Sequence, residues 1–162
     1  MASVSLPAFA KINLDLRILG TRPDGYHDLR TIFQSLALFD KVTVTRRRGA
    51  LEIVCDQEDI PTDRRNLVWK AASLLHRTAT GKATPPSGVS IDLRKRIPAE
   101  AGLGGGSADA AMTLLALNKL WKLDLDLATL TRIGARLGAD VPYFLVGGTA
   151  LGLGRGDDIY PL

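Results

Sequence analysis

At 162 residues, 46% hydrophobic and 23% charged, the chain has the size and composition of one globular domain with a substantial core, not of a disordered or fibrous protein. Its net charge of +4 suits a polyanionic small molecule as well as RNA and is too modest to favour a dedicated nucleic-acid binder. A single cysteine, Cys55, excludes an intrachain disulfide and a cysteine-based zinc cluster, and two histidines exclude a multi-histidine metal site. No apolar run is long enough to span a bilayer, and Met1 to Leu6 lacks the basic start of a leader. The expected compartment is therefore the cytoplasm, or the plastid stroma if the source is a plant. There is no internal repeat.

Residues 11–18 alternate strictly, with Ile12, Leu14, Leu16 and Ile18 on one face and Lys11, Asn13, Asp15 and Arg17 on the other, the pattern of a half-buried strand. Gly20 to Gly25 is turn chemistry. Three strands are predicted over 31–38, 41–46 and 51–55, with Cys55 as a core residue of the last. A helix is predicted over 66–78 on the spacing of Leu67, Ala71, Leu74 and Leu75, with His76 inside it as a structural residue. Ala79 to Gly88, with Pro85-Pro86, reads as a surface loop. Val89, Ile91 and Leu93 mark another strand, which leads into a glycine-rich run. Helices follow over 107–121 and 126–137, with Gly138 at the C-cap position of the second. Asp140-Val141-Pro142 looks like an N-cap aspartate with proline in the first turn of a short helix. Residues 149–153 close the chain as a strand. Strands come early and mostly pair locally, with helices after them, so the class is α+β rather than doubly wound.

The run from Pro98 to Ala111 carries most of the functional information. Gly102, Gly104, Gly105 and Gly106 surround Leu103, and Ser107 opens an alanine-rich helix. Glycine backbone leading directly into a helix start presents a concave set of N–H donors, reinforced by the helix dipole, and that makes a phosphate cradle. The run lacks the Gly-Lys-Ser/Thr end of the P-loop and the last glycine of the dinucleotide fingerprint. Glycine content alone leaves both a third kind of nucleotide loop and a flexible hinge open. Lys11 and Asn13 on one strand face are equally readable as a solvated surface. Tyr26-His27 after a turn has the chemistry to stack on and hydrogen-bond a base, or simply to pack a loop. Arg46-Arg47-Arg48 and Arg94-Lys95-Arg96 read as solvated strand ends rather than nucleic-acid patches.

Taken together, Ala8 to Leu14, Arg22 to His27, Thr31 to Leu36, the glycine run through Trp121, and Gly138 to Phe144 resemble the GHMP kinase superfamily. Pro-Asp-Gly-Tyr-His after Ala-Lys-Ile-Asn resembles its branch with a cytidyl substrate. The resemblance runs from about Pro7 to Gly156. It implies an α+β N-terminal, ATP-binding GHMP domain over 1–162, similar to the second domain of ribosomal protein S5. It further implies transfer of the ATP γ-phosphoryl group to the 2-hydroxyl of 4-diphosphocytidyl-2-C-methyl-D-erythritol, in the non-mevalonate route to isoprenoid precursors, with Mg2+ accompanying ATP. By matching position, Asp140 would be the general base and Lys11 its cationic partner. Asn13 would meet the methylerythritol end, and Tyr26 and His27 would hold cytosine. Asn66 and Lys95 fall where the family places adenine contacts, and Gly102, Leu103, Gly104, Gly105, Gly106 and Ser107 would cradle the triphosphate. No protein metal site, nucleic acid or membrane is implied.

Two departures stand out. Ala108 replaces the second serine of the family's Gly-Gly-Gly-Ser-Ser run. The sequence ends at Leu162, where family members continue into a C-terminal domain of comparable size with a third glycine-rich motif and a second aromatic wall for cytosine. The expectation is thus an isolated N-terminal half, exposing an apolar patch where that domain docks. A GHMP kinase for another small alcohol, a nucleotide-binding fragment without turnover, and an RNA-binding module are the rival readings.

Overall fold

Alternating β-branched and apolar residues build most of the sheet, and three register shifts interrupt the pairing of its two longest strands. The structure is a computed structural model describing residues 2–23, 25, 27–81 and 87–162. Its elements in chain order are β1 (Ser3–Thr21), β2 (His27–Ala50), β3 (Glu52–Cys55), α1 (Leu67–Thr80), β4 (Ser87–Arg94), α2 (Gly105–Trp121), α3 (Leu127–Leu137), α4 (Val141–Val146), β5 (Thr149–Leu153) and β6 (Asp158–Pro161). The strands form one sheet in the order β3-β4-β2-β5-β6, with β1 also paired to β2. All pairs are antiparallel except β3 with β4. The architecture is α+β, as the order of elements predicts.

Val42 and Val44 lie beside Leu93 and Ile91 across the β2–β4 ladder, and all four are buried. Over them pack α1, through Val68, Ala71 and Leu75, and the alanine-rich α2, through Leu114 and Leu117. Alanines at positions 108, 110, 111 and 116 are all fully buried, so α2 approaches the sheet and α1 closely. Asp126 caps α3, its carboxylate accepting the Thr129 N–H at 2.8 Å.

Several expectations are corrected. The spans 31–38 and 41–46 belong to one continuous strand, β2, because β1 pairs along both. Ile12, Leu14, Leu16 and Ile18 do not share a buried face. The register of β1 on β2 slips between Asn13 and Asp15, which turns the strand by one residue. Leu16 and Ile18 then extend beyond the helical layer, 56% and 68% exposed, next to exposed Leu14 and Leu19. Cys55 is only partly buried at the edge of the core. Gly138 occupies the C-cap of α3, but its φ of 178° is extended backbone open to any residue. A further strand, β6, follows the predicted closing strand β5. Pro85-Pro86 lies outside the described residues. No described helix is long and apolar enough to cross a membrane.

Gly152 pairs with Thr31 in β2, and a Cβ there would stand 2.6 Å from the Phe33 ring and 3.0 Å from Thr31 Cγ2. Phe33 cannot yield, because it is buried and stacked on Tyr143 at 4.6 Å. Gly152→Ala is expected to destabilise the domain by about 1–3 kcal/mol, the usual cost of overpacking a filled core. A urea unfolding midpoint equal to that of the parent chain would contradict this packing account.

Candidate active site

Lys11 is turned inward by a bulge. β1 and β2 change register between Phe9 and Lys11, so that Phe9 faces Phe39 and Lys11 faces Ser35. Ala10 and Lys11 are consequently both buried, where strict alternation would have sent one of them outward. The freed Lys11 N–H donates to the Leu103 carbonyl at 3.0 Å, tying the strand to the glycine loop. Its ammonium donates to Asn13 Oδ1 at 2.7 Å and lies 3.6 Å from Asp140 Oδ2. It also sits 5.6 Å over the Phe33 ring, a cation–π arrangement. The Asn13 amide donates to Thr31 Oγ1 at 2.6 Å, and that hydroxyl donates to the Asp15 carbonyl at 2.7 Å. Lys11 and Asn13 therefore belong to a fixed polar chain.

Asp140 precedes α4 at the N-cap position, yet its side chain makes no capping hydrogen bond, contrary to the sequence expectation. The helix is held instead by its body. Tyr143 shares hydrogen bonds with Ser35 Oγ and the Gly148 carbonyl, each at 2.8 Å. The Asp140 carboxylate, 38% exposed against 8% for the Lys11 side chain, is left at the surface of the site.

The glycine loop lies beside this pair. Gly102 and Gly104 have φ of +73° and +74°, left-handed backbone that favours glycine. At Gly104 a Cβ would stand 2.5 Å from the Phe144 ring and 3.3 Å from Lys11 Cγ. α2 starts at Gly105 instead of Ser107, with Gly104 as N-cap. The helix offers no acceptor to its first N–H groups, those of Gly105, Gly106 and Ser107. Nothing lies within 4 Å of a Cβ built on Gly106, so the cradle is open there. A cavity of about 850 Å³ borders the loop, lined by Gly102 to Ser107 together with Ile60, Pro61, Asn66, Lys95, Ile97 and Asp109. Lys11 and Asp140 are not in that lining, although Gly104, which is, lies against the Lys11 side chain.

Asn66 and Lys95 reach the cavity with most of their polar capacity already used. Asn66 caps α1, accepting the Val68 N–H at 2.9 Å, and donates to the Pro61 carbonyl at 2.6 Å. Lys95 is not a solvated strand end: its ammonium is buried 2.5 Å from both Asp40 Oδ2 and Asp109 Oδ2. Sequence reasoning missed Asp40 and Asp109. The available signal was a lone carboxylate inside an alanine-rich helix. His27 opens β2 opposite Thr21, eight residues from Ser35, about 25 Å along an extended strand, so it stands far along the hairpin from Lys11. Tyr26 lies outside the described residues. His76 contacts the edge of Trp121, with ring centroids 5.9 Å apart.

The chain matches the model of the GHMP kinases N terminal domain over residues 66–148. It is 48% identical over its whole length to a 4-diphosphocytidyl-2-C-methyl-D-erythritol kinase of Synechococcus sp. (strain JA-3-3Ab), covering 51% of that protein. The crystal structure of a 4-(cytidine 5'-diphospho)-2C-methyl-D-erythritol kinase superposes with a TM-score of 0.79 at 42% identity, covering 98% of this chain and 55% of the other. Mevalonate pyrophosphate decarboxylase from Streptococcus pyogenes shares the fold, with a TM-score of 0.73 at 13% identity over 99% of this chain and 51% of its own. The chain thus spans about half the length of the curated relatives it matches. It belongs to the GHMP kinase family, as a representative of that family's N-terminal domain.

Burial pushes the Asp109 carboxyl up from 3.8 to about 6, partly offset by the Lys95 ammonium. Between these values the folded state holds a proton that the unfolded chain has released. Stability from this group therefore falls as pH rises from about 4 to 6, by about 3 kcal/mol at most. Asp109→Asn cannot titrate. Its stability relative to the parent, measured by urea unfolding, is expected to improve steadily between pH 4 and 7; a pH-independent difference would refute the shift.

Proposed function

We propose that the protein is an ATP-dependent small-molecule kinase that phosphorylates the 2-hydroxyl of 4-diphosphocytidyl-2-C-methyl-D-erythritol, and that residues 1–162 supply its nucleotide-binding half. The observation that carries this reading is the Lys11–Asp140 pair, 3.6 Å apart and joined to the glycine loop through the Lys11 backbone. The names and extent of the relatives support the substrate. Activity is proposed for a protein that carries both halves of those relatives.

The cradle fits a polyphosphate. The N–H groups of the first turn of α2 are free of helical acceptors, Gly106 leaves room beside them, and a side chain at Gly104 would collide with Phe144. Among the described residues no cluster of three or more metal-ligating side chains stands together. Mg2+ would be held mainly by the nucleotide's phosphates, where it neutralises charge on them. The acceptor hydroxyl oxygen bonds to the γ-phosphorus as the bond to the ADP oxygen breaks, and the hydroxyl proton passes to the Asp140 carboxylate. Lys11 holds that carboxylate in place and offsets charge on the phosphoryl group in transit. Asn13, fixed by Thr31, presents its amide to the acceptor alcohol. His27, at the hairpin end, would hold cytosine together with Tyr26, its neighbour in sequence, and the distance from Lys11 calls for a long ligand such as a nucleoside diphosphate ester. Cytoplasmic location is part of the same proposal.

In a protein carrying both halves, Asp140→Asn is expected to lower kcat by a factor of about 100 to 10,000, with ATP binding retained. Phosphorylation assays with cytidyl and non-cytidyl alcohols separate this substrate from that of another GHMP kinase; preference for mevalonate or homoserine would overturn the assignment. Tyr26→Ala is expected to weaken the cytidyl substrate by roughly 1–3 kcal/mol and to leave ATP affinity unchanged. Equal losses for both ligands would make Tyr26 structural. Residues 1–162 alone are expected to turn over at least about 100-fold more slowly than the two-half protein, because one wall of the site is misplaced or absent.

A further inference from the structure

Behind the glycine loop lies a charge cluster that the proposed reaction does not use. The Lys95 ammonium stands 2.5 Å from Asp40 Oδ2 and 2.5 Å from Asp109 Oδ2, and the three side chains are 5%, 1% and 3% exposed. The other Asp40 oxygen accepts the backbone N–H groups of Arg96 and of Ile97, the latter at 2.8 Å. Those residues lead from β4 into the loop. Asp109 sits in the second turn of α2, the helix that ends the loop. Where a Cβ on Gly105 would lie, the nearest atoms belong to Ile97 at 3.1–3.2 Å and to Asp40 Oδ2 at 3.4 Å. One ammonium therefore ties together the segment entering the loop and the helix leaving it.

We propose that Asp40, Lys95 and Asp109 act as a positioning clamp that sets the spacing between the two ends of the glycine loop, and hence its fit to a nucleotide polyphosphate. This rests on reading the loop as a phosphate cradle. The chemistry of the cluster favours a geometric role over a stabilising one. Two carboxylates on one buried ammonium carry net negative charge when both are ionised, and Asp109 Oδ1 is buried without a hydrogen-bond partner. Apolar side chains of similar volume are often as stable as such a cluster, or more so, but they do not fix two backbone segments at a defined distance. Phosphoryl transfer is sensitive to that distance, since a displacement of about 1 Å can cost a factor of about 100 in rate. The two carboxylates take two of the three ammonium N–H donors, and the clamp acts on a bound nucleotide through the loop.

Asp109→Ala cuts the tie to α2 and leaves a Lys95–Asp40 pair, so no buried charge loses its only partner. Asp109→Asn keeps an acceptor for Lys95. The probes are ATP and inorganic tripolyphosphate, titrated calorimetrically into the full chain. Asp109→Ala is expected to weaken both by about tenfold or more with the urea midpoint unchanged or raised, and Asp109→Asn to restore most of that affinity. Amide hydrogen exchange in Asp109→Ala is expected to accelerate at residues 103–107 while β2 and β4 keep their protection. Parent-level affinity for both probes in Asp109→Ala, or exchange accelerated equally throughout the sheet, would overturn the clamp. Failure of the parent chain to bind either probe would instead overturn the cradle reading on which the clamp rests.

Discussion

The site depends on the register slip that turns Lys11 inward. An uninterrupted pleat would send alternate β1 side chains to opposite faces, and Ala10 and Lys11 could not both be buried. The slip places the ammonium against Asn13, Asp140 and the Phe33 ring, and it releases the Lys11 N–H from the ladder to the Leu103 carbonyl. One backbone irregularity thereby orients a charged side chain and attaches the glycine loop to the sheet. Bulges are enriched beside functional sites for this reason: they re-aim a single side chain without dismantling the strand around it.

The loop is enclosed from three directions by groups of different chemistry. Lys11 holds Leu103 through the backbone. Phe144 fills the space where a Gly104 side chain would be, and the Asp40–Lys95–Asp109 cluster lies behind Gly105. Phe144 also links the loop to α4, the helix that follows Asp140, so carboxylate and cradle share a wall of packed atoms. Packing of this kind around Gly104 and Gly105 favours the proposed set of preorganised N–H donors over a hinge, the two readings that glycine content alone leaves open.

Much of this was legible in the sequence, and the missing parts share a physical cause. Period-two alternation correctly grouped Lys11 with Asn13, and the apolar spacing located all three longer helices to within two residues. Alternation failed at Leu16 and Ile18, because a bulge changes the face without changing the composition. It failed at Lys95 for a related reason. In the sequence Lys95 lies between two arginines and reads as solvated, and only the tertiary pairing of β2, β4 and α2 brings two aspartates to it. The meeting of Lys11 with Asp140 was legible only through family resemblance, since no local periodicity links residues so far apart in the chain.

The treatment of Asp140 follows from how α4 is stabilised. An aspartate at an N-cap ordinarily accepts a backbone N–H of the first turn, a bond whose loss costs about 0.5–2 kcal/mol. α4 forgoes that bond, and it is only six residues long. Its stability must come from side chains, and Val141, Pro142, Tyr143, Phe144 and Leu145 are all buried. Tyr143 stacks on Phe33 and is hydrogen-bonded to Ser35, which fixes the helix to β2, the strand opposite Lys11. Pro142 supplies a helical φ and brings no first-turn N–H that needs an acceptor. Because the body of the helix carries its stability, the carboxylate at its start is not needed as a cap and can point toward the ammonium. In a short helix anchored along its whole length, a capping position can serve chemistry instead.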